Sequence, residues 1–234
     1  MTRTSRSRSE NGSVGGGQMA KDTSLKMQIR DAVFKDIVSG IYKRNEILSE
    51  KQLTELYQVS KSPVREALIE LCNDGVLLSH PRYGYEVLPV DERQVREIVS
   101  FRVMLETGCL RKAADYMTAK ELDLLEKQTK EENEVDRARL SVFEDWENNT
   151  RFHLRLMQFS RNEYCYRMLE KSIRVLMRAY AQMKRDEWSA RMPNFTDNEH
   201  HFKVIDLIRK GNIDQAELEL KTDIEAFLAG AEYY

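Results

Sequence analysis

In NNTRFHLRLM, residues 148–157, Asn149 and His153 stand four apart on what reads as an amphipathic helix, so both project from one face. They fall in step with Trp146 and Leu156, which turns that face inward. Other polar residues pass the same test. His201 is in step with Val204, Ile205 and Ile208, whereas His200 is rotated by about 100°. Asp223 aligns with Ala216, Leu220 and Phe227, and Arg102 with Ile98, Leu105 and Cys109. A single inward histidine most often serves a core as a hydrogen-bonded side chain. Two histidines, an aspartate and an asparagine from three helices, joined by an arginine from a fourth, are costly to bury unless they hold something or one another. Their donor types suit a divalent cation, or an organic acid gripped directly by Arg102 and its neighbours.

A second set lies nearer the N-terminus, in SKSPVREALIELCNDG, residues 60–75. Lys61 and Arg65 share one helical face, while Val64, Ala67, Leu68 and Leu71 occupy the opposite one. Ser60 or Ser62 can cap this helix, Pro63 is tolerated in its first turn, and Gly75 ends it. Such a first turn, entering a major groove, places Arg65 on a guanine edge, with Ser60, Ser62 and the helix-start amides on phosphates. Taken alone, the pair is equally the solvated face of a surface helix.

The elements around these residues follow from spacing. Ile29, Val33, Phe34 and Ile37 mark a helix running to Gly40, and Ser49 with Gln52 makes a capping box for EKQLTELYQ. VLLSHPRYGYEVLPV holds two β-prone runs about a Pro-Arg-Tyr-Gly turn. Three helices and a hairpin make a winged helix-turn-helix. Six helical stretches then follow, at about 91–116, 119–138, 140–159, 162–187, 196–210 and 213–230, broken at acidic turns, Asn162, Pro193 and Gly211. They predict an all-α six-helix bundle.

Composition bounds the reading without deciding it. A chain of 234 residues with 41% hydrophobic content can build a sizeable core. It has no apolar run near the roughly 20 residues that span a bilayer and no secretory h-region, so the expectation is a cytoplasmic protein with no membrane partner. Cys72, Cys109 and Cys165 are scattered without CxxC spacing and read as reduced, packed thiols. Residues 1–24, rich in Ser, Arg and Gly, read as a disordered arm; Met19 is a candidate natural start with tag-like sequence before it, and Arg3, Arg6 and Arg8 could brush nucleic acid. Net charge is +2 over residues 1–25, zero over 26–88 and −4 over 89–234. A nucleic-acid role must therefore rest on local placement.

LSEKQLTELYQVSKSPVREALIELCNDGVLLSHPRYGYEV resembles the DNA-binding domain of GntR-family bacterial transcription regulators, through its VS-x-x-PVREAL core and G-x-x-V wing ending. The resemblance covers residues 26–88 and implies DNA contacts at Lys51, Ser60, Lys61, Ser62, Arg65, Arg82 and Gly84. Lys51 and Lys61 take places often held by Arg; lysine lacks the planar fork, so base reading leans on Arg65. The later part resembles the FCD ligand-binding domain in its shorter, VanR-like form. That rests on R-x-x-x-E at Arg102 and Glu106, the motif ending at His153, the turn from Asn162, and HH-x-x-VI-x-x-I-x-x-GN from His200 to Asn212. Metal-binding members use an Asp and three His; here Asn149 stands at the Asp position and Asp223 at the last His. The resemblance thus implies a two-His, one-carboxylate set of His153, His201 and Asp223 for Zn, Ni, Mn or Fe, with Asn149 as weak fourth ligand or outer donor.

The resulting expectation is an arm at 1–24, a winged helix-turn-helix DNA-binding domain at 25–90 and an effector-binding, dimerising bundle at 91–234. The chain would be no enzyme but a repressor of a catabolic operon. As a homodimer it would read a palindromic double-stranded operator and answer to a small carboxylate bound at Arg102, Asn149, His153, His201 and Asp223. A metal-dependent enzyme built on His153, His201 and Asp223, or a ligand-free regulator, are the alternatives.

Overall fold

The computed structural model describes residues 15–135, 140–185 and 199–229. The chain groups into two units, Met1–Phe34 with Ile47–Glu86, and Lys35–Glu46 with Val87–Tyr234. The break after Glu86 falls a few residues before position 90, and the last residues of the first helix, from Lys35, group with the second unit together with the segment that leads to the first strand.

In the first unit, helix α1 (Gly15–Ser39) begins ten residues before the expected start at 25. Gln18, Ala20 and Lys21 are good helix formers, so a helix nucleated by the apolar stripe extends backwards through them. The rest of the expected arm, with Arg3, Arg6 and Arg8, lies outside the described residues. Ile29 and Val33 are buried, and Lys26 and Arg30 reach Glu70 at 2.6 and 3.6 Å. Helix α2 (Glu50–Tyr57) starts at the capping box, with Ser49 and Gln52 exchanging both bonds. Helix α3 (Lys61–Asn73) is capped by Ser60 through backbone geometry alone. The hydroxyl of Ser62 instead donates to Glu66 at 2.9 Å. Val64, Ala67, Leu68 and Leu71 are buried as their spacing requires, each large aliphatic side chain contributing about 1.5–3 kcal/mol.

The expected hairpin is a three-stranded sheet. Strand β1 (Ile47–Leu48) pairs antiparallel with β3 (Gly84–Val87), which lies between it and β2 (Leu77–His80). Two residues are too short to show a period-2 pattern, which hides β1 from sequence reasoning. Gly84 has φ +137°, and a Cβ there would stand 2.6 Å from the Leu48 carbonyl oxygen and 2.8 Å from the Ile47 side chain. Its lack of a side chain is therefore demanded by β1.

Six helices follow among the described residues of the second unit: α4 (Glu92–Ala114), α5 (Ala119–Asn133), α6 (Val142–Phe159), α7 (Glu163–Arg185), α8 (Glu199–Arg209) and α9 (Ile213–Ala229). Their starts are fixed chemically. Asp91 caps α4, and Thr118 with Glu121 and Ser141 with Glu144 form capping boxes. The predicted break at Pro193 lies outside the described residues. Phe152, Leu169, Leu176, Val204, Ala216 and Leu220 are fully buried and form the bundle core. Arg178 of α7 donates to the Leu88 carbonyl, and Gln182 donates to that of Val90 at 3.1 Å, fixing the chain as it enters α4.

Candidate functional site

The inward polar residues of the bundle converge on a chain of short contacts. Arg102 and Glu106 lie one turn apart on α4, both buried, and Arg102 Nε donates to Glu106 Oε1 at 2.7 Å. Glu106 Oε2 meets His153 Nδ1 of α6 at 2.7 Å. The far nitrogen of that ring, Nε2, is 3.1 Å from Asp223 Oδ2 of α9, and His201 Nε2 of α8 is 3.4 Å from the same oxygen. Four helices therefore meet on one linear network. Phe152, fully buried, stacks on His201 at 4.1 Å and 15°, while the two imidazoles stand nearly perpendicular. These packed rings fix which nitrogens face Asp223.

The electrostatics follow from that order. Burial pushes the Glu106 carboxyl up, but Arg102 and His153 outweigh it and hold the group below its usual range. At His153 burial opposes the charge, yet Glu106 and Asp223 prevail and raise the imidazole to about 8. Burial likewise resists ionisation of Asp223, and the two histidines reverse this and hold it well below the ordinary carboxylate range. Burial leads at His201, whose imidazole is pushed down. The network thus alternates charge, Arg102 positive, Glu106 negative, His153 positive and Asp223 negative, and ends on a neutral His201.

The Asp223 end can hold a cation. One ligand atom each from His153, His201 and Asp223 lie within 4.8 Å of one another. Asp223 Oδ2 and His201 Nε2 are buried yet lack a hydrogen bond of correct direction despite their closeness. Buried ligand atoms this close together without a well-directed hydrogen bond could hold a shared dication, which would take the place of the proton that His153 Nε2 presents to Asp223. Glu106 on His153 Nδ1 is then the outer carboxylate that orients a metal-binding imidazole. Arg102 Nη2 is also buried without a hydrogen-bond partner, a donor that suits an anionic oxygen.

Sequence reasoning missed Glu106 as a site residue, although R-x-x-x-E places it in step with Arg102. Asn149, the tentative fourth ligand, is half-buried. Its neighbour Asn148 is the buried one, donating to the backbone carbonyl of Glu132 at 2.9 Å. Glu132 itself pairs with Arg155 at 2.8 Å on the side of α6 that faces α5.

In the first unit the seven positions named for DNA lie on α2, at the start of α3 and in the β2–β3 turn, and Arg65, Arg82 and Gly84 of them line one cleft. Lys51, Ser60, Lys61, Ser62, Arg65 and Arg82 are all exposed. Arg82 adopts φ 67° in the turn, beside Tyr83, which is 73% exposed. Arg65 is held by Glu50, with Nε on Oε1 at 2.8 Å and Nη2 on Oε2 at 3.0 Å. Gly84 is occupied with strand packing, as described above. A cleft of about 340 Å³ between α3 and the wing is lined by Glu50, Arg65, His80, Arg82 and Tyr83 among others.

Comparison with known proteins places each part of the chain in a known family. Residues 25–87 match the family described as bacterial regulatory proteins, gntR family, and residues 97–226 match the FCD domain. The chain is 33% identical over 156 residues to the uncharacterized HTH-type transcriptional regulator YdhC of Bacillus subtilis, covering 65% of this chain and 68% of that one. It is 29% identical over 144 residues to the HTH-type transcriptional repressor RspR of Escherichia coli, covering 61% and 62%. Over 71 residues it is 39% identical to the gluconate operon transcriptional repressor of B. subtilis, which is 30% of this chain and 29% of that one. Among solved structures, McbR/YncC of E. coli superimposes with a TM-score of 0.70 at 20% identity, over 86% of this chain and 93% of that one. That likeness concerns the fold.

Proposed function

This chain belongs to the gntR family of bacterial regulatory proteins and carries an FCD domain, so it is a DNA-binding transcription regulator and not an enzyme; from that premise we propose a repressor whose operator affinity is set by a small organic acid and a divalent metal in the bundle. It acts in the cytoplasm as a homodimer on a palindromic site, with Arg65 reading a guanine edge and Lys51, Ser60, Lys61, Ser62 and Arg82 holding phosphates. Named repressors among its relatives support the direction of control, and exposed Phe101 and Met104 on α4 offer apolar surface to a second copy.

His153, His201 and Asp223 would hold the metal, and Asn149, half-buried one turn before His153 on α6, would be the weak fourth ligand or an outer donor. When bound, the ion supplies Lewis-acid attraction for an effector carboxylate. The chain's own contribution is to orient His153 through Glu106 and to present the uncommitted Arg102 Nη2 to the second effector oxygen. An effector shifts operator affinity in so far as it binds the two states of the protein unequally. The observation that carries this reading is the crowding of His153, His201 and Asp223 with orphaned donor atoms. Metal analysis of purified protein beside His153→Ala tests it. Stoichiometric metal in the first and loss in the second are expected, and equal, near-zero content in both removes the metal.

A further inference from the structure

Glu50, the first residue of α2, accepts hydrogen bonds from two other elements of the first unit. Arg65 of α3 donates through Nε and Nη2, at 2.8 and 3.0 Å, and the hydroxyl of Tyr85 on β3 donates to Oε1 at 3.1 Å. Tyr85 is buried, and the Glu50 side chain is 21% exposed against 59% for Arg65. The carboxylate is therefore anchored on its inner side, while the guanidinium extends outward from it. An exposed arginine has many rotamers, and ordering it on a base carries an entropic cost. Held as it is, the side chain has lost that freedom in advance.

The geometry also decides which part of the guanidinium is committed. Glu50 occupies the Nε–Nη2 side. The end formed by Nη1 and the second Nη2 hydrogen is the edge whose parallel N–H groups match guanine O6 and N7. Glu50 can hold Arg65 without competing with a base for it.

We propose that Glu50 is a positioning residue for sequence discrimination: it fixes the Arg65 fork relative to α3 and, through Tyr85, to the wing. This rests on the reading of Arg65 as the base contact. Glu50 brings a negative charge toward the phosphates, so it opposes sequence-independent attraction while sharpening base choice. Its removal moves the two quantities in opposite directions, which a purely structural role would not do.

The experiment uses the full chain and a duplex selected by the wild-type protein from a random library, with affinities measured for that duplex, its single-base variants and an unrelated duplex. Glu50→Ala is expected to lose roughly tenfold or more of its discrimination at one base pair, while binding the unrelated duplex about as well or better. Glu50→Gln, which keeps one acceptor, is expected to fall between. Arg65→Ala should lose discrimination at the same base pair, and Glu50→Ala/Arg65→Ala should lose no more than Arg65→Ala alone. Additive losses would overturn the proposal, since Glu50 would then touch DNA itself. Unchanged discrimination in Glu50→Ala overturns it too, as does a parallel loss on all duplexes with a lowered unfolding temperature. If Arg65→Ala keeps full discrimination, the base-contact reading fails first, and that result is separable from failure at Glu50 alone.

Discussion

The protein contains the same ion pair in two settings. Arg65–Glu50 lies on the surface of the first unit, with side chains 59% and 21% exposed; Arg102–Glu106 lies in the bundle, at 5% and 2%. Both close through Arg Nε on a glutamate oxygen, at 2.8 and 2.7 Å. On the surface, water competes for both groups, and what the pair supplies is the aim of a side chain rather than stability. In the interior each charge depends on the other, and Glu106 passes the constraint on to His153. On the proposed reading, one chemistry would serve recognition where it is wet and organise a ligand site where it is dry.

Breaking the dry pair from one side has the largest expected effect. Arg102→Met leaves Glu106 buried beside one remaining positive partner and is expected to destabilise the protein by about 3–5 kcal/mol in urea unfolding. Arg102→Met with Glu106→Leu should cost less than that single change, because no charge is stranded. A double variant as damaging as the sum of its parts would show that the two residues do not act as a pair.

Next comes the Asp223 end of the same network. Asn149→Asp adds a carboxylate where Asn149 now stands half-buried, and should tighten binding of a divalent metal by about tenfold or more, read by competition with a chelator. Weaker binding in this variant would show that Asn149 does not face the three donors.

At the wet pair the effects are on DNA. Arg65→Ala should lose about ten- to a hundredfold in affinity for the selected duplex, concentrated at one base pair. Lys51→Ala should weaken all duplexes alike and lower the slope of log affinity against log salt by about one. Identical behaviour of the two variants would erase the distinction between reading and holding.

The two regions also differed in what their sequence revealed. Around the recognition helix, local rules suffice: Ser49 and Gln52 sit three apart, Pro63 and Gly75 mark the ends of α3, and its apolar residues repeat with the helix period. In the bundle, periodicity placed Arg102, His153, His201 and Asp223 at one interior because each sits in step with apolar neighbours. It could not separate Asn148 from Asn149, since adjacent residues differ by only about 100° and an apolar stripe is nearly that wide. Glu106 enters the sequence only as part of the R-x-x-x-E motif, and its spacing from Arg102 does not by itself say whether such a pair lies on a surface or in a core. Glu50 with Arg65 had no local signature at all, being fifteen residues apart on different helices.

The smallest expected effect concerns the wet pair and pH. Arg65 foremost holds the Glu50 carboxyl below its ordinary value of 4.5; burial opposes it, and the Tyr85 hydroxyl adds to Arg65. A carboxyl depressed on folding stabilises the folded state fully above its unfolded value, and that contribution is lost as pH falls through the folded value. The difference in unfolding temperature between wild type and Glu50→Gln should therefore be flat from about pH 8 down to about pH 5.5 and shrink below about pH 4.5. Partial exposure keeps it small throughout, with screening by salt reducing it further. A difference that grows on acidification would mean that Glu50 is easier to protonate in the folded protein, and the carboxylate could then not be what holds Arg65.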